Sequence, residues 1–192
     1  DPGFQESTGE RGIVFDDAEG ALPLGEGAGR YFAARSLSNY RQLHRAFRGD
    51  EALQALLERT PLVAIWDDHE FSDDCWQDVA TYRDGSGDER DRERRRNAEQ
   101  AYFEYMPVDV DSGDGDGLPV DRDRLHPRLS LWRELRFGRG LQLLLTDYRS
   151  ARPDHPIPED AFPGGIVYDR AALEERLPKL GLDVAAVAPL LV

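Results

Sequence analysis

Lysine is almost absent from this chain: of 24 Lys and Arg residues, Lys179 alone is a lysine. Arginine therefore carries nearly all the positive charge, and its planar fork is the better bidentate partner for carboxylate or phosphate. Cysteine is limited to Cys75, which excludes an intramolecular disulfide and a cysteine-cluster zinc site. No apolar run approaches the ~18 residues that a membrane helix needs. Cations are outnumbered, 24 against 38 acids, for a formal charge of −14 in 192 residues. That balance argues against nucleic-acid binding through a broad basic face. The opening Asp1-Pro2-Gly3-Phe4 lacks the basic end and apolar stretch of a signal peptide. Without an initial Met, the sequence reads as a mature form or an excised piece. Hydrophobic residues make up 40%, enough for a packed core.

Residues 1–30 are rich in Gly, Glu and Asp and read as a covering loop, with 31–152 as the core and 153–192 as loop and helices. Leu37, Tyr40, Leu43, His44 and Phe47 recur at helical spacing. Asp50 is suited to cap a second helix carrying Leu53, Leu56 and Leu57, and Pro61 stops its growth. Leu62-Val63-Ala64-Ile65-Trp66 is a continuous apolar run of strand length, expected to be buried on both faces. An Arg-rich helix is expected from about Asp88 to Met106, with Arg90 to Arg96 as a solvated face because acids are interleaved through it. Leu129 to Phe137 and Leu141 to Leu145, joined by Gly138-Arg139-Gly140, read as a hairpin. Asp169 is placed to cap a final helix through Leu177, ended by Pro178.

Two strand-like runs end in polar side chains, and in α/β folds ligands bind outside such carboxyl ends. The first gives Asp67-Asp68-His69-Glu70. Four metal-competent side chains after a core strand are costly to bury uncompensated, and a cation would compensate them. A hard oxygen from Asp68 with an imidazole nitrogen from His69 suits Zn, Fe or Mn. The plain alternative is an acidic turn capping the next segment. The second run ends in Asp147-Tyr148-Arg149, with Arg152 close behind. Arg149 could grip a phosphate, with Asp147 orienting it or reaching a metal. The alternative here is a surface ion pair.

Residues 62–74, with their Trp-Asp-Asp-His-Glu centre, resemble the central block of the PhoD-like alkaline phosphatases. Gln100 to Pro107, Trp132 to Gly138 and Leu145 to Arg152 resemble three further stretches of that family. The resemblance covers most of residues 31–165. It implies an α/β fold, part of an αββα metallophosphatase sandwich of the calcineurin-like superfamily, with helices flanking a mixed sheet. It also implies metal-dependent hydrolysis of a phosphoester small molecule, using iron with calcium or another divalent pair. By position, Asp68 takes a metal-ligand role, with Asp67 beside it. His69 becomes the phosphate contact or general acid, a role suited to protonating a leaving alkoxide. Arg149 is assigned charge stabilisation and Arg152 substrate binding. A secreted or periplasmic location is implied as well. Apart from the resemblance, His155 lies in a Pro-stiffened loop just after the Asp147-Tyr148-Arg149 site and could shape a substrate mouth, with plain loop packing as the alternative. The family's upstream Gly-Asp-x-x-Tyr motif and downstream His ligands have no counterpart here. The resemblance therefore implies the central segment of a longer enzyme, supplying Asp68 and His69 but not a complete two-metal cage.

A second hypothesis is a non-catalytic acidic domain that binds calcium or a protein partner. Ser112-Gly113-Asp114-Gly115-Asp116-Gly117 with Asp123 approaches a helix-loop-helix calcium loop, but it lacks the bidentate Glu and a preceding apolar helix. Cys75 is expected to be a small core residue, His44 a core histidine and His126 a turn residue.

Overall fold

Helix α1 (Leu37–Arg48) begins at a capping box: the Ser36 hydroxyl accepts from the Asn39 amide and the Asn39 side chain accepts from the Ser36 amide. In the computed structural model, residues 13–24, 30–72, 74–80, 89–108, 122–153, 177–180 and 183 are described. Helix α2 (Glu51–Leu57) starts as the sequence predicts, with the Asp50 carboxylate accepting from the Leu53 amide at 2.7 Å. Helix α3 (Arg92–Tyr105) starts four residues later than expected, capped by Asp91.

Three antiparallel strand pairs accompany the helices. Strand β1 (Leu22–Leu24) pairs with β2 (Tyr31–Ala33), and β3 (Val79–Ala80) with β4 (Glu89–Arg90). Strand β5 (Arg133–Phe137) pairs with β6 (Leu141–Leu145) in the predicted hairpin, with Leu135 opposite Leu143. Its turn includes Gly138 at φ 62°, a conformation that favours glycine. A 3-10 turn spans Arg122–Arg124, and a last short helix, α4, spans Tyr148–Ala151.

The described residues combine helices with three separate two-stranded sheets, in keeping with the expected α/β class, and no full αββα sandwich is seen among them. Residues 62–66 run without a strand partner among the described residues, and Val63 and Ile65 are exposed. Apolar composition favours an extended chain, but a strand also needs a neighbour's amides and carbonyls to close its ladder. The one described backbone acceptor bond here goes to a side chain: Arg133 donates to the Ala64 carbonyl. Within the stretch read as a covering loop, the described residues include β1 and the buried Phe15, Ala21 and Leu24.

Helix α3 is the spine of the core. Ala98 and Ala101 pack with Phe15, Leu24, Ala33, Tyr40, Phe71 and Cys75. On its other side, Tyr102 and Phe103 pack with Trp66, Val108, Leu125 and Leu131. Small alanines let α1 and the Phe71 loop come close, while the aromatics fill the opposite layer. Each large apolar side chain so buried contributes about 1.5–3 kcal/mol. Arg41 of α1 forks onto Glu104 of α3 with both bonds at 2.6 Å.

The arginine run is a solvated face only in part: Arg90 and Arg92 are exposed, whereas two of its arginines turn inward. Arg94 and Arg95 are only 2% and 1% exposed. Arg94 donates to the Ala34 carbonyl at 2.8 Å and lies over the Phe71 ring. Arg95 pairs with Glu99 one turn along, at 2.9 Å, with both side chains 1% exposed. Burial without pairing would be prohibitive, so these contacts decide which arginines turn inward.

The described residues up to 153 belong to one compact unit. Those from 177 belong to a second, in which Leu177–Leu180 is a 3-10 turn containing Pro178. The expected helix from Asp169 and the calcium-like loop at 112–117 lie outside the described residues. No described helix is long and apolar enough to cross a membrane.

Candidate functional site

Trp66 and Asp147 bring the two polar segments together. The Trp66 indole nitrogen donates to Asp147 Oδ1 at 2.8 Å, and Asp147 Oδ2 accepts from the Leu131 amide at 2.8 Å. Asp147 Oδ1 also accepts from the Ser150 amide at 3.2 Å, capping α4. The buried Asp147 thus joins three segments. Its oxygens accept from Trp66, Ser150 and Leu131, and no Asp147–Arg149 bond is described.

Beyond Trp66 the backbone turns sharply. The Asp68 carbonyl accepts from the Phe71 and Ser72 amides, both at 2.8 Å. Glu70 reaches back so that its carboxylate accepts from the Asp67 amide at 2.8 Å. Glu70 therefore closes the turn within the acidic block itself. The loop continues through Asp74 (φ 46°) and Gln77 (φ 51°), both in the left-handed region. Few non-glycine residues sit there unless their surroundings hold them. Here the Asp74 amide donates to Asp68 Oδ2 at 2.8 Å, and the Gln77 amide donates to the Arg149 carbonyl at 2.8 Å.

Arg149 is the centre of the site. Its Nε donates to Asp67 Oδ1 at 2.6 Å, and its Nη2 lies 3.4 Å from Asp68 Oδ2. Its Nη1 donates to Asp74 Oδ1 at 3.4 Å and to the Cys75 carbonyl at 3.3 Å. One guanidinium thus faces three carboxylates, two of them 82 and 75 residues away in sequence. Burial alone would lower the Arg149 pKa, but the bond to Asp67 and the charge of Asp68 hold it above its ordinary value. Burial pushes the Asp68 carboxyl above the usual carboxylate range, opposed by the Asp74 amide and Arg149. His69 Nε2 stands 3.5 Å from Asp68 Oδ2, with 39% of its side chain exposed. It faces solvent at the mouth of this acidic cluster.

The sequence-derived candidates therefore divide. Asp67, Asp68, His69 and Arg149 come together. Arg152 is buried, with its guanidinium 5.2 Å from the Tyr148 ring centre and its carbonyl accepting from the Gln77 side chain at 3.2 Å. His155 lies outside the described residues. Asp74 and Gln77 join the site without having been singled out. Asp74 belongs to the acidic pair Asp73-Asp74, a signal that could have drawn attention to it. Gln77 carried none, because a left-handed backbone is not written in a glutamine.

Behind this cluster, Arg95 lies 4.1 Å from the Trp66 ring centre and donates to Ser150 Oγ at 3.0 Å. It supports both site segments from α3. Its i, i+4 spacing to Glu99 was the readable hint of a pair. Cys75 is fully buried, as expected of a core thiol, and burial pushes its pKa up. A groove of about 600 Å³ bounded by Arg45, Arg48, Leu57, Glu58 and Tyr105 contains none of the site residues.

The donor set can be tested against the metal pair that the family resemblance implies. Among the described residues, no three His, Cys, Asp or Glu side chains converge as a metal-holding group. Asp67 and Asp68 both turn an oxygen toward Arg149, and Asp68 Oδ2 is further engaged by the Asp74 amide. Asp68 and His69 are candidate ligands, but by themselves the described residues do not fit a two-metal centre.

Comparison with known proteins agrees with the block from which this site is built. A similar relative is the alkaline phosphatase D of Bacillus subtilis (strain 168), 31% identical over 119 residues. That alignment covers 62% of this chain and 18% of the relative, so the chain matches less than a fifth of that protein's length. No solved structure matches. The sequence pattern of the PhoD-like phosphatases matches residues 19–177, a stretch containing every described site residue, and the chain belongs to that family.

Proposed function

We propose that this chain carries part of a phosphoester-hydrolysing site built on Asp68, His69 and Arg149. The observation that carries the reading is the meeting of Arg149 with Asp67 at 2.6 Å and Asp68 at 3.4 Å, across some eighty residues of sequence. Family membership supports phosphoester chemistry, and the geometry suits it. The Arg149 fork matches phosphate oxygens once a substrate competes with the carboxylates for it. Arginine beside a transferring phosphoryl group stabilises charge that develops in the transition state. The exposed His69 imidazole can hand a proton to the leaving alkoxide oxygen, with Asp68 3.5 Å away to stabilise the imidazolium.

Metal dependence belongs to the same proposal, with Asp68 and Asp67 as candidate ligands. Among the described residues no complete metal cage converges. The finer architecture is proposed likewise. Val63, Ile65, Leu141 and Leu144 are exposed apolar residues on extended segments, as fits layers of an αββα sandwich that other elements cover. A secreted or periplasmic location is the corresponding proposal for where the protein works.

The test is turnover of p-nitrophenyl phosphate by the full chain with divalent metal supplied. Asp68→Ala should lower kcat at least about a hundredfold, the scale of losing one preorganised electrostatic group. Normal turnover in that variant removes Asp68 from the mechanism.

A further inference from the structure

Gln77 holds Arg149 from behind. Its amide donates to the Arg149 carbonyl at 2.8 Å, and its side-chain nitrogen donates to the Arg152 carbonyl at 3.2 Å. The two bonds grip residues 149 and 152, at opposite ends of one turn. Helix α4 comprises only Tyr148–Ala151. So short a helix cannot hold itself, because nucleation costs more than its few internal bonds return. Two residues before Gln77, the Cys75 carbonyl accepts from Arg149 Nη1 at 3.3 Å. The 75–77 segment thus fixes both the backbone and the guanidinium of Arg149.

This grip has an energetic signature. Gln77 sits at φ 51°, which costs an L-residue with a Cβ roughly 1–2 kcal/mol. Such outliers persist where surrounding contacts over-determine them, and they cluster at functional sites. A glycine would relax the backbone. What glutamine adds, and glycine cannot, is the side-chain donor to Arg152.

We propose that Gln77 is a positioning residue for Arg149: its left-handed backbone and its amide side chain together aim the guanidinium at Asp67 and Asp68. The proposal rests on the phosphatase reading of the site. Gln77 itself touches no reacting atom.

The experiment compares the parent full chain with Gln77→Gly and Gln77→Glu. The glycine variant relieves the backbone and deletes the donor. The glutamate variant keeps the size and turns the donor into an acceptor facing a carbonyl. Both should lose about tenfold in kcat/KM for p-nitrophenyl phosphate, since small misplacements of a positioned group cost that much or more. Gln77→Gly should keep or raise the thermal midpoint. Loss of activity at undiminished stability is an outcome that a merely structural contact does not give. Activity within twofold of the parent in either variant overturns the proposal. Where the parent chain by itself shows no turnover, as part of a site can, hydrogen exchange decides the positioning. Faster exchange over residues 148–152 in Gln77→Gly than in the parent sustains the grip, and unchanged exchange there overturns it.

Discussion

Trp66 and Asp147, 81 residues apart, share a buried hydrogen bond of 2.8 Å. This contact ties the two polar segments to one another. Trp66 immediately precedes Asp67, and Asp147 lies two residues before Arg149. The bond brings the acidic block and the arginine within reach, and the Arg149 contacts complete the join.

Removing that anchor should be costly. Asp147→Ala leaves the Trp66 indole and the Leu131 amide without their acceptor in a buried setting. Unpaired buried donors cost about 1–3 kcal/mol each, so a loss of about 2–4 kcal/mol is expected in urea denaturation of the full chain. Asp147→Asn, which keeps one acceptor oxygen, should lose less. A change below about 0.5 kcal/mol in the alanine variant, the range of neutral surface substitutions, would show that the anchor is dispensable.

The Arg95–Glu99 pair should show strong coupling. Arg95→Met leaves the buried Glu99 carboxylate with the His126 amide but no opposite charge, and Glu99→Leu leaves the guanidinium with Ser150 and Trp66 but no carboxylate. Each single change is expected to cost about 3–5 kcal/mol. The double variant should recover much of that loss, because neither charge is then left unpaired. Strictly additive losses in a double-mutant cycle would contradict this account.

Arg149 should not tolerate lysine. Nε, Nη1 and Nη2 each face a different carboxylate, a span that a single ammonium cannot reproduce. Under the proposed function, Arg149→Lys keeps the charge and yet loses at least about tenfold in kcat/KM, one tenfold step being about 1.4 kcal/mol of transition-state binding. Parent-like kinetics in the lysine variant would reduce Arg149 to a point charge.

Acid should weaken the fold through two histidines before it titrates most carboxylates. Burial, aided by the Arg48 charge, lowers His44 to about 4, where it stacks on Tyr105 with ring centres 5.4 Å apart. Burial and then the Arg95 charge lower His126 to about 4, opposed by Asp78, which lies 3.6 Å away. Both folded values lie below the ordinary 6.5, so the folded chain binds fewer protons than the unfolded one. Their contribution is complete above about pH 6.5 and is lost as pH falls toward 4 and through it, by up to about 1.4 kcal/mol per pH unit per histidine. Denaturation midpoints at pH 7, 5.5 and 4 check this. A slope that persists unchanged in the His44→Phe, His126→Gln double variant assigns the acid sensitivity elsewhere.

Much of this protein was readable from local pattern. Asp50 as a cap, the periodicity of α1 and the β5–β6 hairpin each depend on neighbours within a few residues. The Asp67-Asp68-His69-Glu70 block and Arg149 were legible as chemistry, because four polar side chains after an apolar run demand compensation.

What the sequence could not decide was pairing at a distance. Leu62 to Trp66 has the composition of a buried strand, yet a ladder requires a partner, and composition names none. Arg94 and Arg95 look like their solvated neighbours, and only the Ala34 carbonyl, Glu99 and the aromatic rings around them make burial tolerable. Asp147 looked like a helper for Arg149, and in the fold its oxygens accept from Trp66, Ser150 and Leu131. The sequence determined which groups are available and how each short segment turns. The tertiary structure decided which buried donors and acceptors satisfy one another, because desolvation is repaid only where a specific partner arrives.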